Sequence, residues 1–138
     1  MNISPQGVAA IRAREGFRLQ AYHDVKGVVT IGVGHTGPDV HMGLVWTVDQ
    51  VDATLVNDLS RFVDAVNDVD YTFAQNEFDA CVSLAFNIGV GGFEGSSVVE
   101  QLEAGNKQAA ADAFLRWEKP PSLRARREGE RRQFLGEM

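Results

Sequence analysis

The sequence contains little cysteine and no long hydrophobic run. Its only cysteine is Cys81, so an internal disulfide is excluded and nothing requires an oxidising compartment. Cys81 lies in an apolar run with helical spacing, where a buried, inert thiol is expected. No stretch reaches about 18 apolar residues, the length that a membrane span needs. Residues 1–13 also lack the apolar run of a signal peptide or anchoring helix, so we expect neither, and no stable membrane insertion.

Histidine is scarce as well, and the sequence shows no metal or phosphate motif. His23, His35 and His41 do not have the spacing of metal ligands. There is no phosphate-binding glycine loop and no Ser-His-Asp order. We therefore expect no metal and no cofactor, and His35 is predicted to be a hydrogen-bonded structural residue rather than a base.

Length, hydrophobic content and charge are those of one globular domain. The 138 residues predict a single domain, 1–138, and 44% hydrophobic with 23% charged residues is ordinary for a globular protein. The net charge of −6 argues against nucleic acid as a partner. Acidic residues concentrate between 39 and 112, whereas the last part of the chain is basic.

The segment 15–35, EGFRLQAYHDVKGVVTIGVGH, contains the most residues with special chemistry. Ser4 and Pro5 have the pattern of an N-cap and first helical residue, and Gly16 is a natural C-terminal stop. Glu15 therefore falls at the C-terminal end of a helix, where the dipole disfavours a carboxylate. We expect it to have a cationic partner or a raised pKa.

A β-hairpin is predicted next. Ala21-Tyr22 and Val28 to Ile31 are strand-like, and Asp24 to Gly27 has turn chemistry. If the register centres on Gly27, Asp24 and Thr30 are opposite each other with Cβ atoms about 5 Å apart. Glycines at 32 and 34 then predict close approach by a ligand or another backbone.

Two carboxyl groups, Glu15 on a helix end and Asp24 on a hairpin, are the pair that glycoside hydrolysis uses. From spacing alone, an ordinary helix-end ion pair and an ordinary turn aspartate remain open. The segment resembles the active-site region of phage-type lysozymes, the endolysins of glycoside hydrolase family 24. That family has E, then D nine residues on, then T six further, then I-G-x-G-H, which correspond here to Glu15, Asp24, Thr30 and His35.

The resemblance implies an α+β, lysozyme-like fold. It predicts a small sheet lobe over about 16–46, a larger helical lobe of 1–15 and 47–138, and an active-site cleft between them. Amphipathic helices are expected over about 48–67, after a Thr47–Gln50 capping box, and over about 73–88. Trp46 is expected to dock the lobes, with a sugar contact as the alternative. Further capping residues are predicted at Thr72, Ser97 and Asn106, and Ser122 is predicted to start the last helix.

The resemblance also assigns residues outside this segment. Phe86 and Ser96 match positions that line the sugar-binding site in relatives, although a core phenylalanine and a loop serine are equally plausible. A final helix carries five arginines, which fit a solvated face paired with Glu128 and Glu130, or a partner for the catalytic acid. In the second case Arg124, Arg126 and Arg127 are all candidates, and His35 would support the active site.

The implied activity is that of a muramidase. Glu15 would protonate the leaving oxygen, with burial against apolar groups raising its pKa, while Asp24 and Thr30 would hold the water, with inversion. A lytic transglycosylase, a non-catalytic wall-binding module of a phage particle and a nucleic-acid-binding protein are the alternatives. An endolysin would be a monomer acting on peptidoglycan, accumulate in the host cytoplasm, and depend on a holin-type protein to open the membrane.

Overall fold

The computed structural model describes residues 1–137 and confirms the α+β class. Helices dominate, and the strands form one antiparallel pair. No helix among these residues is both long and apolar enough to cross a membrane. The elements in chain order are α1 (Pro5–Glu15), β1 (Arg18–His23), β2 (Val29–Gly32), α2 (Val48–Asp58), α3 (Ser60–Asn67), α4 (Gln75–Ile88), α5 (Val90–Glu94), α6 (Ser97–Glu103), α7 (Lys107–Ala113), two short 3₁₀ helices (Phe114–Trp117 and Pro121–Leu123) and α8 (Arg124–Phe134).

The chain divides into two compact units. The hairpin unit comprises residues 8–58, and the helical unit comprises 1–7 and 59–138. The hairpin unit is therefore larger than the sheet lobe of 16–46 that was predicted. Most of α1 and all of α2 belong to it, and α2 contacts β2.

Both ends of α1 form as the sequence predicts. The Ser4 hydroxyl accepts a hydrogen bond from the backbone N–H of Gly7 at 3.0 Å. At the other end Gly16 has φ +74°, a conformation that glycine adopts without strain. Its N–H bonds the carbonyl of Arg12 at 2.9 Å. This stop fixes Glu15 as the last helical residue.

The hairpin forms, but its register differs from the predicted one. Thr30 pairs with Tyr22, and Val29 pairs with His23. Asp24 therefore stands opposite Val28, to which its N–H donates at 2.9 Å. The prediction that Asp24 and Thr30 are directly opposite is wrong. The observed turn is two residues shorter than a turn centred on Gly27 would be. The Asp24 carboxylate closes this shorter turn by accepting hydrogen bonds from backbone N–H groups within it.

The core of the hairpin unit includes the residues behind the two strands. Ala21, Ile31 and Val40 are buried together, with Trp46 packed against them. A Cβ placed on Gly32 would lie 3.1 Å from the Trp46 ring. The close approach at Gly32 is thus made by the Trp46 side chain. Trp46 packs within this unit, and its predicted docking of the two lobes stays a prediction.

The helix predicted over 48–67 is two helices. Its capping box is confirmed, since Thr47 and Gln50 exchange side-chain and backbone hydrogen bonds of 2.8 and 3.2 Å. However, α2 ends at Asp58 and α3 begins at Ser60. Leu59 lies between them and is fully buried. The apolar repeat runs through the interruption unchanged, so hydrophobic periodicity carried no signal of it.

Helix α4 is the core helix of the helical unit, as its nearly continuous apolar sequence predicts. Residues 77–85 are buried without interruption, and α8 and α3 pack against the helix. Cys81 is fully buried, and loss of solvation raises the pKa of its thiol well above 9.0. The prediction that this thiol is buried is therefore confirmed.

Several helix starts differ from the predicted caps. Helix α4 is closed by the Glu77 carboxylate, which accepts from the N–H of Ala74 at 2.8 Å, rather than by Thr72. Ser96 rather than Ser97 caps α6. Asn106 precedes α7 without a side-chain cap, and α8 starts after Ser122, at Arg124. Asn106 thus has the predicted position without the predicted hydrogen bond, whereas the starts of α6 and α8 are displaced by one or two residues.

Candidate active site

Glu15 lies at an anchored helix end with its side chain exposed. Arg12, one turn earlier, donates from one guanidinium nitrogen to both carboxylate oxygens of Asp52 on α2. The same guanidinium lies 5.7 Å from the centre of the Phe17 ring. These contacts fix the last turn of α1 on the hairpin unit. Glu15 itself is exposed, so the expectation that apolar groups bury it is wrong.

Asp24 closes the hairpin turn with one of its two carboxylate oxygens. Its Oδ1 accepts from the N–H groups of Lys26 and Val28, both at 2.8 Å. Oδ2 has no hydrogen-bond partner within residues 1–137. The turn reading of Asp24 is thus correct. The turn role does not exclude a catalytic role for Asp24, because the second carboxylate oxygen remains able to accept a proton or a hydrogen bond.

Thr30 lies on the same face of the hairpin as Asp24 and is buried. Tyr22 is opposite Thr30, and Asp24 is two residues beyond Tyr22, so side chains at 22, 24 and 30 point to one side. Asp24 and Thr30 are therefore diagonal neighbours, about 7–8 Å apart. The Thr30 hydroxyl donates to the carbonyl of Val28 at 2.9 Å. This leaves its lone pairs as acceptors for another donor.

His35 lies between two carboxylates behind the hairpin. Its Nδ1 is 2.8 Å from Asp58 and its Nε2 is 3.0 Å from Asp39. Its backbone exchanges two hydrogen bonds of 2.9 Å with Ile31, the residue after Thr30. Burial lowers the pKa of His35, but the hydrogen bonds to Asp58 and Asp39 outweigh it and raise the pKa above its ordinary 6.5. The ring also packs on Trp46, with centroids 5.6 Å apart.

This arrangement makes the stability of the protein depend on pH. We expect His35→Gln to lower the free energy of unfolding by about 1 kcal/mol near pH 6, a modest value because solvent screens the pairs. A raised pKa means that the imidazolium stabilises the fold fully below pH 6.5 and loses this effect as pH rises through the raised value. The difference should thus shrink at alkaline pH. Chemical denaturation from pH 5 to 9 measures it.

The control is His41→Gln, because His41 is exposed and, within residues 1–137, its ring bonds only the carbonyl of Met42, at 3.1 Å. At the acidic end the carboxylates themselves become protonated. The hydrogen bond from His35 lowers the pKa of Asp39 below 3.8. The pair of His35 and Asp39 therefore continues to stabilise the fold down to about that pH. A difference between wild type and His35→Gln that stays constant across the range would contradict the assignment.

The two predicted sugar-binding residues lie in the helical unit with mainly structural contacts. Phe86 is half-buried and packs edge-to-face on Phe62, with ring centroids 5.3 Å apart. The Ser96 hydroxyl is buried, donates to the carbonyl of Phe93 at 2.7 Å and accepts from the N–H of Val99 at 3.3 Å. A sugar contact by Ser96 would have to use a hydroxyl that already caps α6.

The arginines of α8 divide into an exposed and a buried set. Arg124 is exposed and pairs with Glu118 and Glu128 at 3.2 and 2.9 Å. Arg127 is fully buried and donates to Glu130, to Asn87 and to the carbonyl of Trp117. The contacts of these two arginines are structural, so neither is supported as a partner of the acid. Arg126 donates to Glu130 and to the carbonyl of Ser83, both at 3.2 Å, and its predicted role remains a prediction.

The buried part of this cluster was not found from the sequence. Ser83 donates to Glu130 at 2.5 Å, so the Glu130 carboxylate has a hydroxyl and two guanidinium partners. The spacing of three and four residues from Arg127 and Arg126 to Glu130 was a signal for the pairing. Nothing in the sequence indicated that the pairing would be buried. No cluster of His, Cys, Asp and Glu among the described residues could hold a metal ion.

Comparison with known proteins agrees with this architecture. The family described as phage lysozyme matches residues 12–130. The endolysin of Salmonella phage P22 is 44% identical over 98% of this chain and 99% of its own length. The endolysin of Bacillus phage B103 is 42% identical over 98% of this chain, which corresponds to 54% of that protein. A crystal structure of a P22 lysozyme mutant superimposes with a TM-score of 0.94, covering 98% of this chain and 99% of that one.

The fold is that of a lysozyme, a glycoside hydrolase with an α+β architecture. The family match covers most of the chain, and the P22 endolysin is similar to the chain over nearly its whole length. The chain belongs to the phage lysozyme family. It is a muramidase that hydrolyses peptidoglycan, as the resemblance of the segment 15–35 predicted.

Proposed function

We propose that the protein cleaves the β-1,4 bond from N-acetylmuramic acid to N-acetylglucosamine with inversion. In this mechanism Glu15 is the general acid, and Asp24 with Thr30 holds the attacking water. The observation that carries the proposal is the hairpin geometry. Asp24 keeps one carboxylate oxygen unbonded, and Thr30 projects from the same face.

The hairpin offers the proposed water two hydrogen-bond acceptors, a carboxylate and a hydroxyl. It would donate one hydrogen to Oδ2 of Asp24 and the other to the Thr30 hydroxyl, whose own hydrogen is already given to Val28. The acceptors would then fix the orientation of the oxygen lone pair that attacks the anomeric carbon. Placing a nucleophile in this way supplies much of the catalytic effect of such a site. A retaining enzyme would instead use the carboxylate itself as nucleophile.

Glu15 suits the complementary role. It is exposed, so a leaving-group oxygen can reach it, and the Arg12–Asp52 pair holds the turn that carries it. Inverting enzymes separate their two carboxyl groups by about 6.5–9.5 Å to accommodate the water. We propose that Glu15 and Asp24 act across such a distance when substrate is bound.

The product of the reaction tests the mechanism. Digestion of purified sacculi, followed at once by proton NMR, should show the α anomer of the new reducing end first, with the β anomer appearing only by mutarotation. Mass spectrometry should show fragments that have gained one water, which makes them one water heavier than the corresponding 1,6-anhydro fragments. A 1,6-anhydro product would identify a lytic transglycosylase, and wall binding without any released fragment would identify a non-catalytic module.

Thr30 offers a sharper test of the water assignment. We expect Thr30→Val to lower kcat by about 10²-fold, because misplacing a reacting group costs about that much. Thr30→Ser keeps a hydroxyl at the same backbone position and should retain most of the activity. Thermal melts of both variants separate this effect from loss of the bond to Val28, which is worth about 1 kcal/mol. Equal kcat values for the two variants would remove the hydroxyl from the mechanism.

Several further assignments rest on the family resemblance. We propose that Phe86 contributes to sugar binding, that Arg126 and His35 support the site, and that the enzyme acts as a monomer in lysis of the host cell. In this scheme the chain accumulates in the cytoplasm, and a holin-type protein opens the membrane. Exposure of intact and of permeabilised bacteria to purified protein tests the last point, since only the second should lyse.

A further inference from the structure

An arginine on the hairpin is held in a fixed position without an acidic partner. Arg18 begins β1 and is exposed, and its guanidinium carbon lies 4.6 Å from the centre of the Tyr22 ring. No carboxylate within residues 1–137 forms an ion pair with it. A cation stacked on an aromatic ring is pre-oriented, while its N–H donors remain available at the edge of the guanidinium plane.

Several other arginines of this protein form ion pairs. On the hairpin unit, Arg12 is neutralised by Asp52. On the helical unit, Arg124, Arg127 and Arg131 each have at least one carboxylate within 3.2 Å. An acidic neighbour would hold a surface arginine in place equally well, but it would also neutralise the charge. Arg18 is positioned by a neutral ring instead, which leaves its full charge for a ligand.

The position of this pair links it to the proposed site of hydrolysis. Tyr22 is directly opposite Thr30, and residue 24 is the next on the same face of the chain, about 7 Å along. Arg18 lies over the Tyr22 ring from the other end of β1. The order along one face is therefore guanidinium, aromatic ring and then the proposed water-holding pair. A glycan placed on Asp24 and Thr30 would have Arg18 beside it.

We propose that Arg18, held by Tyr22, binds a carboxylate of the peptide stem that N-acetylmuramic acid carries. The stem leaves the sugar through its lactyl ether and contains free carboxylates, whereas the N-acetylglucosamine units are uncharged. A guanidinium is the side chain that recognises carboxylates best, through two parallel hydrogen bonds. This inference rests on the proposed placement of Asp24 and Thr30. It makes Arg18 a residue that distinguishes peptide-bearing from bare glycan.

The test compares two substrates. Wild-type protein and Arg18→Ala are assayed on intact glycan strands and on strands whose stem peptides an amidase has removed. Because the amidase leaves a free lactyl carboxylate on each N-acetylmuramic acid, that group is converted to its methylamide before the assay. On intact strands we expect Arg18→Ala to raise KM about tenfold and to leave kcat unchanged, since a charge-assisted hydrogen bond of this kind is lost. On stripped strands the two proteins should have the same KM. Tyr22→Leu, which removes the ring, should reproduce part of the effect, and Tyr22→Phe should not.

The matched control is Arg61→Ala. Arg61 is also exposed and also lies 4.6 Å from an aromatic centre, that of Phe62, but it belongs to the helical unit. This variant should not change either KM. Equal effects of Arg18→Ala on both substrates, or no effect on either, would overturn the proposal. Failure of the proposed catalytic mechanism has another signature, because Glu15→Gln and Asp24→Asn would then leave kcat unchanged on both substrates.

Discussion

Replacement of Glu15 by glutamine is expected to lower kcat by about 10²–10⁴-fold, the usual contribution of a general acid. Glutamine keeps the size and hydrogen-bonding geometry of the side chain but carries no transferable proton. Because Glu15 is exposed at the end of α1, the fold should tolerate the change. Turbidity loss of a bacterial wall suspension and release of reducing sugar measure the activity, and the far-ultraviolet spectrum and thermal midpoint check the fold.

Glu94→Gln is the matched control. Glu94 is likewise exposed and is the last residue of a helix, α5, so the same chemical change is made at an equivalent local position. We expect its activity to equal that of the wild type. A Glu15→Gln variant that is as active as Glu94→Gln would show that the protonating group is another residue. A variant that is inactive but also unfolded would be replaced by Glu15→Asp, which retains the acid one methylene further back.

The second large effect is on stability. We expect Glu130→Gln to destabilise the protein by about 3–5 kcal/mol, which corresponds to roughly 10–20 °C in thermal midpoint. Glu130 and Arg127 are both fully buried. Removing the carboxylate charge leaves the Arg127 guanidinium buried with only neutral acceptors, the Asn87 side chain and the Trp117 carbonyl. The desolvation cost of that charge is then uncompensated.

Two comparisons isolate this cause. Glu128→Gln breaks an ion pair on the same helix whose partner, Arg124, is 62% exposed, and it should cost less than about 1 kcal/mol. The double replacement Arg127→Met with Glu130→Leu removes both charges and should be less destabilising than Glu130→Gln alone. Urea denaturation gives all three values. A cost for Glu130→Gln similar to that of Glu128→Gln would mean that solvent reaches the buried pair.

Much of the local structure could be predicted from the sequence because it depends on neighbours in the chain. The start and stop of α1, the capping box at Thr47 and the hairpin all follow from side chains within a few residues of each other. The same holds for the candidate site. Glu15, Asp24 and Thr30 lie in one short segment, so a family pattern could identify them and turn chemistry could place two of them on one face.

The tertiary structure alone decided which polar groups are buried and where periodic segments break. A run of arginines on a helix has the same sequence pattern whether solvent or another helix covers it, and only the packing of α8 on α4 buries Arg127 and Glu130. Leu59 continues an unbroken apolar repeat but separates two helices. The pairing of His35 with Asp58 joins residues that no local rule connects. Chemistry carried by neighbouring residues is thus written in the sequence, whereas burial depends on every segment that covers a group and is settled only when the chain folds.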